Sequence, residues 1–155
     1  MSRVTVGKKV PPFAVASTTG KTLKSADLKD SIIVLYFYPK DDSAGCTMEG
    51  QAFRDHHAAF RKLNTVILGV SRDSLAAHDK FKSKHCFPFE LLSDEDERLC
   101  SLFGVIKEKN MYGRKVMGIE RSTFLIDAKG VLRREWRKVK VEGHVEEVLA
   151  AVKEL

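Results

Sequence analysis

No apolar run in this sequence is long enough to cross a bilayer. The longest, Ile32 to Tyr38, is seven residues, against the roughly 18 that a membrane-spanning helix needs. The opening residues, MSRVTVGKKVPPF, show neither the apolar core nor the small-residue cleavage site of a secretory signal, so the cytoplasm is the expected location. Cysteine is scarce: three residues, Cys46, Cys86 and Cys100, form neither a CxxC pair nor a zinc-type spacing and cannot build a disulfide framework. In a reducing compartment such thiols are free, either packed or reactive. Charge of one sign is also limited, at 27 basic and 21 acidic residues, a net of +6. One basic cluster, Arg133, Arg134, Arg137, Lys138 and Lys140 around Trp136, has no nucleic-acid motif beside it, and a solvated strand face would look the same, so no nucleic-acid partner is expected. No internal repeat, low-complexity tract or Gly-, Pro- or Ser-rich linker interrupts the 155 residues; a single domain over residues 1–155 is expected.

What is present alternates in period. Phe13 to Ser17 with a Thr18-Thr19-Gly20-Lys21 turn suggests a hairpin-like opening. The IIVLYFY segment, apolar on both alternating faces, reads as a central strand covered on both sides, ended by Pro39. Ala52, Phe53, Ala59, Phe60 and Leu63 recur at helical steps and predict one amphipathic helix from Cys46 to about Leu63. Val66–Val70 follows as a strand, and Asp73 or Ser74 can cap a helix running to about His85. Phe89–Leu92 and Thr123–Ile126 read as strands and Asp96–Phe103 as a short helix. Val131–Trp136 reads as the hairpin partner of Thr123–Ile126, and a final helix places Val145, Val148, Leu149 and Val152 on one stripe. Strands separated by helices predict a three-layer α/β sandwich with a largely parallel sheet and antiparallel hairpins at its ends.

One constellation carries chemistry. The stretch PKDDSAGC delivers Cys46 to a helix start at the carboxyl end of a strand, where free backbone N–H groups and the helix dipole favour a thiolate. A thiol of pKa about 8.5 is only about 3% ionised at pH 7, and lowering it to about 6 gives about 90% thiolate. That gain is partly offset because a less basic thiolate is a weaker nucleophile, so a fast cysteine also needs donors for the substrate oxygen. Ser43 and the Ala44-Gly45-Cys46 turn offer such donors, and Pro39 can shield the pocket. From spacing alone, an ordinary helix-capping loop with an incidental buried cysteine fits as well.

Pro39-x-x-x-Ser43-x-x-Cys46 resembles the active-site pattern of peroxiredoxins, and FYPKDDSAGCTMEGQAFRD is similar in particular to the bacterioferritin comigratory protein or peroxiredoxin Q branch. PFELLSDED and MGIERSTFLID follow in the same order, so the resemblance covers nearly the whole chain. It implies a thioredoxin-like fold with a central mixed sheet and a thiol peroxidase needing no metal, haem or other cofactor. Cys46 becomes the peroxidatic cysteine, Ser43 the hydroxyl that contacts peroxide, Pro39 the residue packed over the pocket, and Arg121 the cation beside the thiolate. Hydroperoxides are the implied substrates, thioredoxin or glutaredoxin with glutathione the implied reductants, and a monomer the implied state.

The chain departs from the commonest pattern of that branch. The position five residues after Cys46, where many members carry a resolving cysteine, is Gln51, and the position used by other members corresponds to Lys82. Cys86, four residues beyond Lys82, is the first candidate for the resolving thiol, although Phe87-Pro88 should end its helix there. A one-cysteine cycle completed by an external thiol is the alternative, and Cys100, flanked by Leu99 and Leu102, reads as a core residue. Glu49 and Arg54 are candidates to orient Arg121 or else a surface charge pair. His56 and His57 read as packing or surface residues, and His78, His85 and Cys86 fit no strong metal spacing. A disulfide oxidoreductase would normally carry CxxC, absent at Cys46-Thr47-Met48-Glu49; a binding or redox-dependent chaperone module built on the basic strand is the remaining rival.

Overall fold

A computed structural model describes residues 3–155. Its centre is a seven-stranded sheet whose strands lie side by side in the order Thr22–Lys24, Ala14–Ser17, Glu90–Ser93, Thr65–Ser71, Ile32–Phe37, Ser122–Ile126 and Leu132–Arg137. Strand β3 (Ile32–Phe37) runs parallel to β4 (Thr65–Ser71), and β4 parallel to β5 (Glu90–Ser93). The flanking strands β1 (Ala14–Ser17), β2 (Thr22–Lys24), β8 (Ser122–Ile126) and β9 (Leu132–Arg137) all pair antiparallel. The sheet is therefore mixed, with three parallel strands at its centre and more antiparallel pairing than the alternation of strands and helices predicts.

The apolar run of β3 divides between two cores, as a strand covered on both faces must. Val34 and Tyr36, continued by Tyr38, face one core with Phe53, Phe60 and Phe81. Ile33, Leu35 and Phe37 face the other with Leu99, Cys100 and Phe103. The first core is covered by helices α1 (Ala44–Asp55), α2 (His57–Lys62), α3 (Leu75–His85) and α5 (His144–Lys153), the second by α4 (Arg98–Phe103) and the amino-terminal segment. This is the α/β sandwich expected, with Val145, Val148, Leu149 and Val152 buried as the closing stripe.

Two elements differ from the sequence reading. The single helix expected from Cys46 to Leu63 is two, because His56 leaves helical geometry (φ −100°, ψ 4°) as the shared cap of α1 and α2, its ring Nδ1 2.9 Å from the Ala52 carbonyl. Both halves keep their apolar residues on the same core, so periodicity alone cannot show the break. The segment between α4 and β8 carries an unpredicted two-stranded ribbon, β6 (Ile106–Met111) and β7 (Arg114–Ile119). Its turn residues Tyr112 and Gly113 both have positive φ (52° and 77°), the mirror-image turn that suits a two-residue hairpin. The ribbon's polar IKEKN strand gives little apolar alternation, so Gly113 is the main signal in the sequence.

One close approach fixes how α1 meets the end of α3. A Cβ on Gly50 would run into the Phe87 ring, so only glycine fits there, one helical turn past Cys46. The Arg54 Nη1 group donates to the His85 carbonyl at 2.9 Å, and these two contacts seat residues 85–87 along the carboxyl-terminal half of α1.

Candidate active site

Helix α1 begins at Ala44, immediately after the PKDDS loop, and Thr47 N makes the first helical bond to the Ser43 carbonyl at 2.9 Å. The N–H groups of Ala44, Gly45 and Cys46 precede that bond and form the electropositive first turn. Cys46 sits in this turn, 1% exposed, against the aromatic core of Tyr36, Tyr38 and Phe53.

The partner comes from 75 residues away. Antiparallel pairing of β3 with β8 sets Phe37 opposite Ser122, so Arg121, the residue before β8, arrives where β3 hands the chain to the Cys46 loop. Its carbonyl accepts from Val139 N at 3.0 Å, which pins the backbone. Arg121 Nη2 donates to Cys46 Sγ at 3.4 Å and Nη1 to Glu49 Oε1 at 2.7 Å. A guanidinium has fixed donor directions, so anchoring one nitrogen on Glu49 aims the other at the sulfur. Gly45 makes room: a Cβ there would meet Arg121 Nη2 at 3.0 Å.

Glu49 is wholly buried, and its Oε2 has no hydrogen-bond partner among the described residues. Burial outweighs the opposing pull of Arg121 and pushes its carboxyl up to about 7. Burial disfavours the Arg121 charge as well, but Glu49 and Cys46 beside it more than compensate, and the net direction is upward. The folded state therefore holds a proton on Glu49 that the unfolded chain releases between about pH 4.5 and 7, so this residue's contribution to stability is present in acid and lost as pH rises through 7, on the order of 3 kcal/mol. His144, buried beside Thr123 and pushed down to about 4 by burial, acts in the opposite sense over nearly the same window. The expected signature is thus a difference: Glu49→Gln gains stability relative to wild type above pH 7 and none below pH 5, measured by urea denaturation at both pH values. Equal effects at the two would refute a buried, titrating carboxylate.

The remaining residues singled out from sequence divide. Ser43 is exposed at the mouth of the loop, its Oγ donating to the Lys40 carbonyl at 3.0 Å, and Pro39 is half-buried between β3 and the loop. Cys86 is exposed, at the end of α3 in left-handed conformation (φ 55°), as the Phe87-Pro88 signal predicts. Cys100 is buried, and burial followed by the adjacent Asp94 pushes its thiol strongly upward, so it is inert packing. Glu49 meets Arg121 but Arg54 does not; it binds Asp55 and the His85 carbonyl. His56 and His57 lie at the far end of α1. His78 is wholly buried against Asp41 and His85 faces Asp42 at the surface, so the two histidines and Cys86 form no cluster. The basic strand uses its charges internally: Arg133 pairs with Asp127, Arg134 with Glu147, and Arg137 donates to the Phe103 and Gly104 carbonyls. The pairing of Asp41 with His78 escaped the sequence reading, because 37 residues and a strand crossover separate them.

The model of the AhpC/TSA family matches residues 6–135. The chain is 50% identical over 152 residues to peroxiredoxin Bcp of Bacillus subtilis, covering 98% of this chain and 97% of that protein. It is 51% identical over 142 residues to peroxiredoxin Bcp of Xanthomonas campestris, covering 92% and 88%. Among solved structures, a cysteine-to-serine mutant of Xylella fastidiosa PrxQ superposes with a TM-score of 0.93 at 42% identity, covering 99% of this chain and 98% of that one. Fold, site and relatives together define a thiol peroxidase of thioredoxin-like fold, which reduces a hydroperoxide at the expense of a thiol. The chain belongs to the AhpC/TSA family, in its peroxiredoxin Bcp, or PrxQ, branch. Among the described residues no helix is long and apolar enough to cross a membrane.

Proposed function

We propose that Cys46 is the peroxidatic residue, acting on hydrogen peroxide and small organic hydroperoxides. The observation that carries this is the 3.4 Å contact from Arg121 Nη2 to Cys46 Sγ in the first turn of α1. A guanidinium and the N–H groups of a helix start both direct donors at the sulfur, and both remain in place as charge moves onto oxygen. The thiolate attacks one peroxide oxygen, the O–O bond breaks, the sulfur becomes a sulfenic acid, and the other oxygen leaves as hydroxide or alkoxide and takes a proton from solvent. Arg121 and the N–H groups of Gly45 and Cys46 are the donors for the peroxide oxygens, Ser43 contributes its hydroxyl once it turns from the Lys40 carbonyl, and Pro39 closes the pocket. The solved structure of the Xanthomonas campestris bacterioferritin comigratory protein, 48% identical, is described in terms of alkyl peroxide reduction activity, which supports an organic substrate here.

Cys86 is the proposed resolving thiol, with thioredoxin as reductant, in a cytoplasmic monomer whose whole chain is one domain. A disulfide needs Cα atoms within about 7 Å, and Cys46 is buried where Cys86 is exposed, so the first turn of α1 must unwind to form it. That same difference in burial favours the second reading, a one-cysteine cycle completed by glutathione and glutaredoxin. One equivalent of hydrogen peroxide followed by peptide mass spectrometry separates them. The expected result is a Cys46–Cys86 cross-linked peptide in wild type, with Cys86→Ser holding Cys46 as sulfenic acid and losing at least about tenfold of thioredoxin-supported turnover. A stable Cys46 sulfenic acid in wild type would replace the two-cysteine cycle by the second reading, and oxidation that spares Cys46 would overturn the assignment altogether.

A further inference from the structure

The loop that carries Cys46 to its helix is held by the side chains of Tyr38, just after β3, of Asp73, between β4 and α3, and of His78 in α3. Asp41 lies in this loop, and its carboxylate accepts from Tyr38 Oη at 2.7 Å and faces His78 Nδ1 of α3 at 2.6 Å. Its backbone N–H donates to Asp73 Oδ2 at 2.9 Å, and Asp73 in turn accepts from Ser71 at the end of β4. His78 is 0% exposed, and its Nε2 lies 2.9 Å from the Leu92 carbonyl of β5. A carbonyl only accepts, so Nε2 carries a proton, and the 2.6 Å contact on the other side of the ring places a further proton between Nδ1 and Asp41. Next to it, Asp42 has a left-handed backbone (φ 63°) and reaches Lys84 at 3.2 Å and His85 at 3.4 Å. A backbone in that region persists where its surroundings over-determine it.

Asp41, Asp73 and His78 also present ligand atoms within 4.8 Å of one another, as a metal site would. Each is already engaged by Tyr38, Ser71, the Asp41 N–H or the Leu92 carbonyl. The group is satisfied internally and reads as a fastening.

We propose that His78 and Asp41 are positioning residues for the peroxide reaction: paired beneath the Pro39–Ser43 loop, they fix the start of α1 so that Cys46 and the donors of its first turn meet the incoming O–O bond. This rests on Cys46 being the reacting sulfur. Neither residue touches the sulfur; they act through the loop, and misplacing reacting atoms by about 1 Å can cost on the order of 100-fold in rate. Releasing the pair loosens the loop, which slows peroxide attack and at the same time uncovers a sulfur that is 1% exposed. A side chain that merely supports the fold would uncover the sulfur through global unfolding, at a labelling rate that rises with urea, whereas release of the loop uncovers it in the folded protein, at a rate that low urea leaves unchanged.

The test compares wild type, Asp41→Asn, His78→Gln, the double variant and Cys46→Ser, at a temperature where circular dichroism shows each folded. In both single variants the second-order rate of Cys46 oxidation by hydrogen peroxide is expected to fall at least tenfold. Labelling of the Cys46 peptide by a bulky maleimide, quantified by mass spectrometry, should become faster, at a rate that low urea leaves unchanged. The double variant should be no slower toward peroxide than the worse single one, because the pair acts as a unit. Should His78→Gln not fold, Asp41→Asn carries the same expectation from a loop position. Wild-type peroxide rates in folded variants, or peroxide and maleimide rates falling together, would overturn the proposal. Turnover surviving in Cys46→Ser would instead remove the site reading on which it rests, so the two failures are distinguishable.

Discussion

Cys46→Ser is expected to reduce hydroperoxide turnover by at least about 1,000-fold, to the level seen without enzyme. The reason is chemical before it is structural. Serine oxygen is not ionised near neutral pH and cannot be oxidised to an equivalent of sulfenic acid, so the two-electron step has no acceptor for the peroxide oxygen. The other sulfurs do not substitute for it. Cys100 is buried with its thiol pushed strongly upward, and Cys86 is exposed at the carboxyl end of α3, its Sγ turned to the Ser83 carbonyl and away from the first turn of α1 that holds Cys46. Coupled consumption of hydrogen peroxide with either reductant measures this, with Cys100→Ser as the companion expected to stay within about twofold of wild type. More than a tenth of wild-type turnover left in Cys46→Ser would refute the assignment.

Arg121→Ala is expected to slow the second-order reaction with hydrogen peroxide by about 100- to 1,000-fold, the range for losing one donor aimed at developing charge. It should also weaken the fold. Arg121 is the one ion-pair partner of Glu49 among the described residues, and Glu49 is wholly buried, so an ionised Glu49 is left uncompensated at a cost of about 3–5 kcal/mol. The sign with pH follows from that carboxyl. Burial already pushes Glu49 up to about 7 and Arg121 opposes the rise; without the arginine Glu49 keeps its proton to higher pH. The loss of stability is therefore largest above pH 7 and small below pH 5. Arg121→Lys should recover part of the stability and little of the rate, since an ammonium cannot bridge Glu49 and Cys46 with two fixed donors. Denaturation at pH 5 and pH 8 and stopped-flow oxidation check the two halves separately. Thiol alkylation at neutral pH that is no slower in Arg121→Ala would count against the thiolate-stabilising role.

Much of this architecture is legible in the chain because it is written in short periods. The alternation of IIVLYFY fixes β3 as a strand with two buried faces, and Ser74 signals the start of α3 by accepting from Ala77 N at 3.2 Å. The break at His56 was not legible, since a one-residue departure leaves the apolar spacing of α1 and α2 almost unchanged. The β6–β7 ribbon was missed for the opposite reason: a strand that buries little writes no pattern.

The site shows the same division. Pro39, Ser43 and Cys46 lie within one loop and helix start, so their order in the chain already states that a cysteine meets unsatisfied N–H groups at the end of a central strand. Arg121, Glu49, Asp41 and His78 were different. That Arg121 reaches Cys46 depends on β8 lying antiparallel beside β3 with Phe37 opposite Ser122, and that His78 reaches Asp41 depends on α3 packing on β5, where His78 Nε2 meets the Leu92 carbonyl. The amino-acid order by itself determined which sulfur stands at a helix start and that strands would alternate with helices. Only the tertiary structure decided that Arg121, named from the family resemblance, meets Glu49 rather than Arg54 at that sulfur and that His78 pairs with Asp41 in its loop, because side-chain periodicity encodes which face of an element is buried, whereas strand register and helix packing choose the distant residues that meet there.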